Sequence, residues 1–320
     1  MPFSGVIGHE KIITILRRSL AADRMSHAYL FHGVDCRGIG DTALALVQAV
    51  FCGGDDGCGS CPSCRKVAAG RHPDLHLVRP DGAFIKIDQI RELQKELSYR
   101  PFEAPVKACI IEDADRMNPA AANSFLKTLE EPPGDALLIL LTSHLEGVLP
   151  TILSRCQLLR FPPLSAETMA AHLRTAGAGE EEARMAAALS GGSLARAEEL
   201  LAGDLSRSRR LIIERVCGLK GDDIITLFAE AEELGRDRES ALGLVEMLEL
   251  FWRDVLMIHA GRGDVTNTDL EPLLRETVAR TTTGLAVDRL EMISRIRRAL
   301  TRNVNPRLAV EVLFMNLAEA

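Results

Sequence analysis

The sequence predicts an α/β fold in which a parallel-sheet domain is followed by two all-helical domains. Five short, almost continuous apolar segments alternate with helical patterns in the first half of the chain, which is typical of parallel strands buried on both faces. Strand patterns end near residue 165, and only helical periodicity follows. We therefore predict a sheet domain at 1–164, a small three-helix lid domain at 165–205 and a helical domain at 206–320.

The predicted strands and helices of the first domain alternate in order. A helix is predicted over residues 8–22, where apolar residues recur at helical spacing. The predicted strands are "AYLF" (28–31), "LHLV" (75–78), "KACIIE" (107–112), "ALLILLT" (136–142) and "QLLRF" (157–161). The helical stretches between them are 41–51, 88–98 and 119–130. The last begins favourably, because Asn118 can cap free backbone N–H groups and Pro119 suits the first helical position.

The second half of the chain reads as helices throughout. Three short helices separated by glycines are predicted from "SAETMAAHLRTAG", "EEEARMAAALSGG" and "SLARAEELLAG". Longer amphipathic helices follow, with breaks expected near Gly221, Gly261 to Asp264 and Thr281 to Gly284.

The composition predicts a soluble, helix-rich protein that works in the cytoplasm. The 320 residues are 47% apolar but only 4% aromatic. The start "MPFSGVIGHEKI" is unlike a secretory signal, and no apolar run reaches membrane-spanning length, so we expect no membrane partner. Because the formal net charge is −7, contacts with nucleic acid are expected to be local or made through a partner protein.

Four cysteines lie close together in "FCGGDDGCGSCPSCRK". Five, two and two residues separate Cys52, Cys58, Cys61 and Cys64. Two-residue spacings form tight turns that point two thiolates at one ion, and four thiolates complete a tetrahedral zinc site at about 2.3 Å. We therefore predict a structural zinc module at about 52–66. Free or redox-active thiols and an iron–sulfur cluster are the alternatives.

The other cysteines and the nearby histidines are predicted to be structural. His72 and His76 lie close to the cluster, but four sulfurs already fill a tetrahedral site. The remaining cysteines are scattered and are expected to be ordinary residues: Cys36, Cys109, Cys156 and Cys217. We therefore predict no further metal ligand among them.

The segment "FHGVDCRGIGDTALALV" resembles a phosphate-binding loop that has lost its chemistry. In an intact loop, backbone N–H groups cradle the phosphates, a lysine neutralises their charge and a hydroxyl helps to hold Mg²⁺. Gly38, Gly40 and Thr42 remain here, but Asp41 occupies the lysine position and Asp35 that of the first glycine. A carboxylate about 4 Å from a phosphate charge costs on the order of 4 kcal/mol at an effective dielectric near 20, so we expect no productive ATP binding. The alternative is that this segment is only a strand-to-helix turn, which also predicts no ATP binding.

A second segment has the pattern of a nucleotide site. In "ACIIEDADRM" an apolar strand ends in Glu112 and Asp113, where a P-loop enzyme places the carboxylate that holds magnesium. The two acids stand in the reverse of the usual order, which repositions the carboxylate oxygens. A strand that ends in acids is common by itself, but beside the glycine-rich segment it favours descent from a nucleotide site.

Together these motifs resemble the clamp-loader subunits of the AAA+ class, and among them the delta-prime family of bacterial DNA polymerase III. The stretches that carry the resemblance are "IGHEKIITILRRSL", "SHAYLFHG", the cysteine segment followed by "GRHPDLHLV", "IKIDQIREL", "DADRMNPAAANSFLKTLEEPP" and "LPTILSRCQLLRF". The combination of "NSFLKTLEEPP" with "SRC" is very specific to clamp loaders. The resemblance covers the first half of the chain closely and the rest, including "NVNPRLAVEVLFMNL", more loosely.

The resemblance implies a P-loop-type AAA+ domain, a helical lid and a helical collar through which subunits form a ring. It implies motor (gamma/tau) and delta subunits as partners, with a sliding clamp and primed DNA engaged through the assembly. It also implies that this chain has no ATPase of its own, although it belongs to the DNA polymerase III holoenzyme, a DNA-directed DNA polymerase and nucleotidyltransferase.

The resemblance gives the motif Ser154, Arg155 and Cys156 a role. Arg155 corresponds to an arginine finger that enters the ATP site of a neighbouring motor subunit. Such a finger is worth about 10³ to 10⁵ in rate, because it stabilises charge on the transferred phosphate. Without the resemblance, an exposed arginine in a surface ion pair is the expected interpretation.

Three positions depart from the motor pattern. Cys36 and Arg37 are predicted to lengthen the phosphate loop by two residues. In "GGSLARAEEL", Ala195 stands where motor subunits carry an arginine that reaches the γ-phosphate, and Arg196 is displaced by one residue. One residue turns a helix by about 100°, so we expect Arg196 to face away from the nucleotide. These losses favour a non-catalytic subunit.

Parts of the sequence also fit two other functions. The chain could be an ATP-hydrolysing AAA+ motor subunit, which the altered loop disfavours. It could also be a zinc protein that binds nucleic acid, but the cysteine segment has few basic residues and no aromatic one after Phe51. For direct DNA contacts, Lys127 and its basic neighbours are only weak candidates.

Overall fold

A computed structural model of the protein describes residues 2–34, 36–52, 56–202, 205–219, 221–262, 265–302 and 304–318. The chain divides into two units. The first comprises Met1–His172 with Gly191–Arg196, and the second comprises Leu173–Ser190 with Ala197–Ala320. A separate lid domain at 165–205 stays a prediction.

Five parallel strands form the sheet of the first unit, in the order β2-β3-β4-β1-β5. Their bounds are Ala28–His32 (β1), Leu75–Val78 (β2), Ala108–Ile111 (β3), Leu137–Thr142 (β4) and Gln157–Arg160 (β5). All five predicted strands are confirmed. Along β1, Tyr29 and Phe31 enter the core on one face, and Ala28 and Leu30 enter the core on the other. Burial on both faces explains why the strands are almost continuously apolar.

Helices flank both faces of this sheet. They are α1 (Glu10–Ala21), α2 (Cys36–Cys52), α3 (Pro62–Ala68), α4 (Ile87–Ser98), α5 (Pro119–Glu130) and α6 (Pro150–Leu153). Three more helices follow before residue 203: α7 (Ala166–Thr175), α8 (Glu180–Leu189) and α9 (Leu194–Ala202). Helix α8 belongs wholly to the second unit, and α7 and α9 belong partly to each unit. Buried residues of α1 and α2 join the core on the Phe31 face, and those of α4 and α5 join the core on the Leu30 face. Asn118 caps α5 as predicted, since its side chain accepts the N–H of Ala121 at 2.8 Å.

The rest of the second unit is helical, as predicted. Its helices are α10 (Leu205–Cys217), α11 (Ile224–Leu234), α12 (Arg238–His259), α13 (Glu271–Arg280), α14 (Thr283–Thr301) and α15 (Pro306–Ala318). Helix α12 is central, because it packs against α13, α14 and α15 and its Phe251 and Val255 are fully buried. No helix among the residues described above has an apolar stretch long enough to cross a bilayer.

The structure differs from the prediction mainly at helix boundaries. The sequence pattern does not predict the short helices α3 and α6 or the break between α11 and α12. Helix α14 begins at Thr283, inside a predicted break. The largest difference is α2, which begins at Cys36 instead of near residue 41 and therefore changes the candidate nucleotide site.

Candidate functional site

The four clustered cysteines meet around one point. The Sγ atoms of Cys52, Cys58, Cys61 and Cys64 all lie within 4.8 Å of one another. Four sulfurs bound at about 2.3 Å to one zinc ion are about 3.8 Å apart. The Sγ atoms of Cys52 and Cys61 are separated by 3.8 Å. The cluster can therefore hold a metal ion.

Glycines and a short helix bring these sulfurs together. Gly57 and Gly59 have φ angles of 72° and 68°, a conformation that residues with a Cβ rarely adopt. Cys61 caps α3, and its Sγ accepts the N–H of Cys64 at 3.4 Å. The N–H of Cys61 in turn donates to Sγ of Cys58 at 3.2 Å. These donors favour the thiolate form, which is the form that binds a metal.

Local hydrogen bonds lower the pKa of one thiol of the cluster, and burial raises the pKa of another. Hydrogen bonds from Ser60, and then from the N–H of Cys61, lower the pKa of Cys58 to about 5. Burial raises the pKa of Cys64 to about 12. A bound cation supplies the charge that removes the proton from such a buried thiol. Four sulfurs leave no open coordination position, so this donor set fits a structural metal ion.

Buried side chains attach the cysteine cluster to the first unit. Gln48 on α2 is fully buried, and its Nε2 donates to the carbonyl of Cys64 at 2.8 Å. His72 is also buried, with its Nε2 3.2 Å from Oγ of Ser63 and its ring 4.6 Å from that of Phe51. Burial lowers the pKa of His72, which favours the neutral ring. These contacts agree with the structural role predicted for His72.

The glycine-rich segment does not form a phosphate-binding loop. Helix α2 already begins at Cys36 and includes Gly38, Gly40, Asp41 and Thr42. Thr42 is fully buried, and its hydroxyl donates to the carbonyl of Gly38 at 3.2 Å, one turn earlier. The predictions of a retained loop shape and of a loop lengthened by Cys36 and Arg37 are therefore wrong. The backbone groups of this segment are accommodated in helical turns.

Little open space remains beside the start of α2. Gly33, Val34, Ile39 and Phe161 help to line a cavity of about 10 Å³, which is about the room that one water molecule needs. A Cβ atom on Gly33 would lie 2.9 Å from Cβ of Phe161. Asp35, the predicted replacement for the first loop glycine, lies outside the described residues. This cavity is much smaller than a nucleotide.

An arginine holds the carboxylate at the end of β3. Glu112 follows β3, and Arg79 follows the neighbouring strand β2. Nε and Nη2 of Arg79 each donate to an oxygen of Glu112 at 2.9 Å, and this pairing raises the pKa of Arg79. Both oxygens thus face a guanidinium group, whereas a magnesium site needs carboxylate oxygens free for the ion. The strand order that brings Arg79 beside Glu112 is not visible in the sequence.

Other polar groups at the carboxyl ends of the strands also form hydrogen bonds with residues of the same chain. Thr142, the last residue of β4, is fully buried and donates from its hydroxyl to Oδ1 of Asp115 at 2.5 Å. The same hydroxyl oxygen accepts the N–H of His144 at 3.0 Å. Asp113, the second predicted acid, has a φ of 50° in the turn after β3. This network escapes sequence reasoning because its members come from separate segments.

Arg155 lies at the surface between α6 and β5. Its Nη2 donates to Oε1 of Glu130 at 2.6 Å, and its Nη1 donates to the carbonyl of Thr151 at 3.0 Å. Oγ of Ser154 is 3.3 Å from Nη1, and 36% of the Arg155 side chain is exposed. Burial raises the pKa of the Cys156 thiol to about 12. The motif is thus linked to the end of α5, a contact that sequence spacing does not indicate.

The remaining predicted site residues lie elsewhere in the chain. Ala195 and Arg196 are half-buried in the first turn of α9, where Oγ of Ser193 accepts the N–H of Arg196 at 3.2 Å. Lys127 is exposed on α5. The orientation of Arg196 relative to a bound nucleotide stays a prediction.

The parallel sheet, its flanking helices and the helical second unit define a protein with the predicted AAA+-type fold. A solved Thermotoga maritima MSB8 protein, described as related to the DNA polymerase III gamma subunit, shares this fold with a TM-score of 0.55. It is 20% identical in sequence, and the match covers 96% of this chain and 98% of that one. The family model described as "DNA polymerase III, delta subunit" matches residues 8–165.

The chain belongs to the DNA polymerase III delta-prime family. It is 35% identical to subunit delta' of Bacillus subtilis strain 168, over 97% of this chain and 96% of that relative. It is also 31% identical to subunit delta' of Escherichia coli K12, over 81% of this chain and 78% of that relative. The family predicted from the motifs is therefore confirmed.

Proposed function

We propose that the chain is a non-catalytic delta-prime subunit of the DNA polymerase III clamp loader. In this role it helps to load the sliding clamp onto primed DNA and supplies Arg155 to the ATP site of a neighbouring subunit. The observation that carries the proposal is the combination, in one chain, of a closed phosphate-loop position with an intact Ser-Arg-Cys motif whose arginine is partly exposed. Similarity to subunits named delta' over nearly the whole length supports it.

The chemistry of Arg155 suits this role. A guanidinium group stays charged at any physiological pH and presents a planar set of donors that matches phosphate oxygens. Its partner Glu130 and the Arg155 side chain are both substantially exposed, so the guanidinium group can exchange one oxyanion for another. The Ser154 hydroxyl accepts a hydrogen bond from Nη1 of Arg155, and Cys156 packs against the core beside it.

Three features argue against an ATPase in this chain. Asp41 adds negative charge where a lysine is needed, α2 occupies the loop position, and Arg79 occupies both oxygens of Glu112. The alternative, an ATP-hydrolysing motor subunit, requires the first turns of α2 to unwind and Arg79 to release Glu112. It is therefore the weaker proposal.

The test uses the purified chain and the reconstituted assembly. We expect ATP with Mg²⁺ to leave the melting temperature of the isolated chain unchanged. We expect Arg155→Ala to reduce the DNA-stimulated ATPase of the assembly, while Arg160→Ala, a matched change of an exposed arginine on β5, leaves it unchanged. An unchanged ATPase with Arg155→Ala would exclude the finger role, and turnover by the isolated chain would establish the motor alternative.

The metal of the cysteine cluster is proposed to be zinc with a structural role. The four sulfurs and the absence of an open coordination position among them support this choice. The module connects α2 with α3, so the metal stabilises this part of the first unit. Metal analysis of the purified protein should give one zinc per chain, whereas iron with visible absorption would favour the iron–sulfur alternative.

The helical second unit is proposed to be the collar that joins motor and delta subunits. Ile225 and Phe228 on α11 expose apolar side chains, and so do Leu308, Val312 and Met315 on α15. The two helices pack together, so apolar residues are exposed on both members of one helix pair. Ile225→Asp should reduce co-elution with the motor subunit, whereas Ile15→Asp on α1 should not.

The remaining parts of the proposal concern location and DNA. A replication subunit works where the DNA is, so we place the protein in the bacterial cytoplasm. DNA contacts are proposed to arise through the assembled ring, with Lys127 as a weak candidate. If zinc removal abolished DNA binding by the isolated chain, the zinc cluster itself would be the DNA-binding element.

A further inference from the structure

A recessed lysine lies at the amino ends of the strands, opposite the edge that holds Glu112. Lys107 directly precedes β3 and is only 7% exposed. It helps to line a pocket of about 220 Å³ together with Tyr99, Arg100 and Asp135. Within the described part of the chain, the ammonium group of Lys107 has no hydrogen bond or ion pair. An ammonium group that faces an open pocket without a partner in the chain is available to pair with an incoming anion.

The loop beside this pocket is held in a fixed shape. Asp74 is fully buried, and its carboxylate accepts the N–H groups of Phe102, Glu103 and Ala104 at 2.6, 2.8 and 2.8 Å. Lys66 on α3 pairs with Glu103 at 2.6 Å, which also links the loop to the cysteine cluster. Three backbone bonds to one carboxylate keep the loop ordered before any partner arrives, which lowers the entropy lost on binding.

This ordered loop presents an aromatic side chain to solvent. Phe102 is 84% exposed, and Tyr99 in the same loop is also exposed. Only 4% of the residues in the chain are aromatic, and most other phenylalanines are buried. An aromatic residue on a rigid loop next to a pocket with an unpaired cation is typical of an energetically important part of a protein interface.

We propose that Tyr99, Arg100, Phe102 and Lys107, here called the Lys107 surface, bind another protein of the clamp-loading assembly. An Asp or Glu side chain of that partner enters the pocket and pairs with Lys107, and apolar residues beside it cover Phe102. The proposal rests on the proposed function for the identity of the assembly. Charge complementarity favours an acidic segment, because Lys107 and Arg100 outnumber Asp135.

A protein side chain fits this pocket better than a nucleic acid backbone does. Phosphates are bound by exposed rows of lysine and arginine that follow the backbone. Lys107 is recessed, and the exposed Asp135 repels an approaching phosphate chain. A single carboxylate on a flexible side chain can reach the ammonium group without bringing a second charge close to Asp135.

Carbodiimide crosslinking of the reconstituted clamp loader with its sliding clamp tests this proposal. The reagent joins an amine to a carboxylate only where the two groups are in contact, and mass spectrometry identifies the joined peptides. We expect an amide between Lys107 and an Asp or Glu of another subunit or of the clamp. Lys107→Met and Lys107→Arg should both remove this crosslink, and Lys95→Met, on the exposed face of α4, should keep it.

The same variants give an affinity measurement. Lys107→Met should weaken binding of the crosslinked partner by about 10- to 100-fold, as expected for loss of a hydrogen bond to a charged group. Lys107→Arg keeps the charge and should retain most of the affinity. Phe102→Ala should weaken binding by at least about 10-fold.

Four results would overturn the proposal. They are a crosslink from Lys107 to Asp135 of the same chain, a crosslink to a second copy of this chain, no Lys107 crosslink in an intact assembly, and a crosslink that single-stranded DNA displaces. Gel filtration distinguishes a failure of the Lys107 surface from a failure of the proposed function. If the assembly does not form, both fail, whereas an intact assembly without the crosslink overturns only the Lys107 surface.

Discussion

The ion pair between Arg155 and Glu130 must open before Arg155 can reach a phosphate of another subunit, so Glu130→Gln tests what that opening costs. The two side chains are 36% and 50% exposed. Water and ions screen a pair of this kind, which is worth about 0 to 1 kcal/mol. An arginine finger worth about 10³ to 10⁵ in rate corresponds to about 4 to 7 kcal/mol. The gain at the phosphate therefore exceeds the cost of leaving Glu130.

The assay is single-turnover ATP hydrolysis at the neighbouring site of the reconstituted, DNA-bound assembly. We expect Glu130→Gln to change this rate by less than about fivefold, because the lost pair is worth at most about 1 kcal/mol. Arg155→Ala should lower the rate by about 10³-fold or more. Gel filtration of both variants checks that the assembly is intact. A Glu130→Gln variant as inactive as Arg155→Ala would refute the reasoning, since Glu130 would then be required for hydrolysis.

Three further predictions concern stability and the lost nucleotide site. Cys61→Ser should reduce bound zinc below one per chain and lower the melting temperature by at least about 5 °C, measured by metal analysis and calorimetry. Burial alone would raise the pKa of Asp74, but three backbone donors outweigh it and hold the pKa below its usual value. The ionised Asp74 carboxylate therefore stabilises the folded state above a pH of about 4, and this stabilisation is lost as the pH falls. Asp74→Asn should lower the free energy of unfolding by about 3 kcal/mol at pH 7 and by less at pH 3. Equal losses at the two pH values would contradict this account. Asp41→Lys should not restore an ATP-dependent rise in melting temperature, because α2 still occupies the loop position; a clear rise would show that charge alone prevents binding.

Periodicity and spacing are properties of the chain itself, and they determined much of this protein. The five strands are predictable because burial on both faces of a parallel sheet requires continuous apolar segments. The cysteine cluster is predictable because two-residue spacings fold locally into metal-binding turns. The cap of α5 by Asn118 is predictable for the same reason, since the side chain and its backbone partner are three residues apart.

Only the tertiary structure decided which distant residues meet. Arg79 reaches Glu112 because β2 and β3 are neighbours in the sheet, and Arg155 reaches Glu130 because α5 ends beside the turn before β5. The start of α2 also depends on tertiary packing, because Ile39 is buried in the core beside Phe161. Sequence motifs determine which chemical groups are available. The folded chain decides their partners, because contact distances depend on the packing of segments that lie far apart in the sequence.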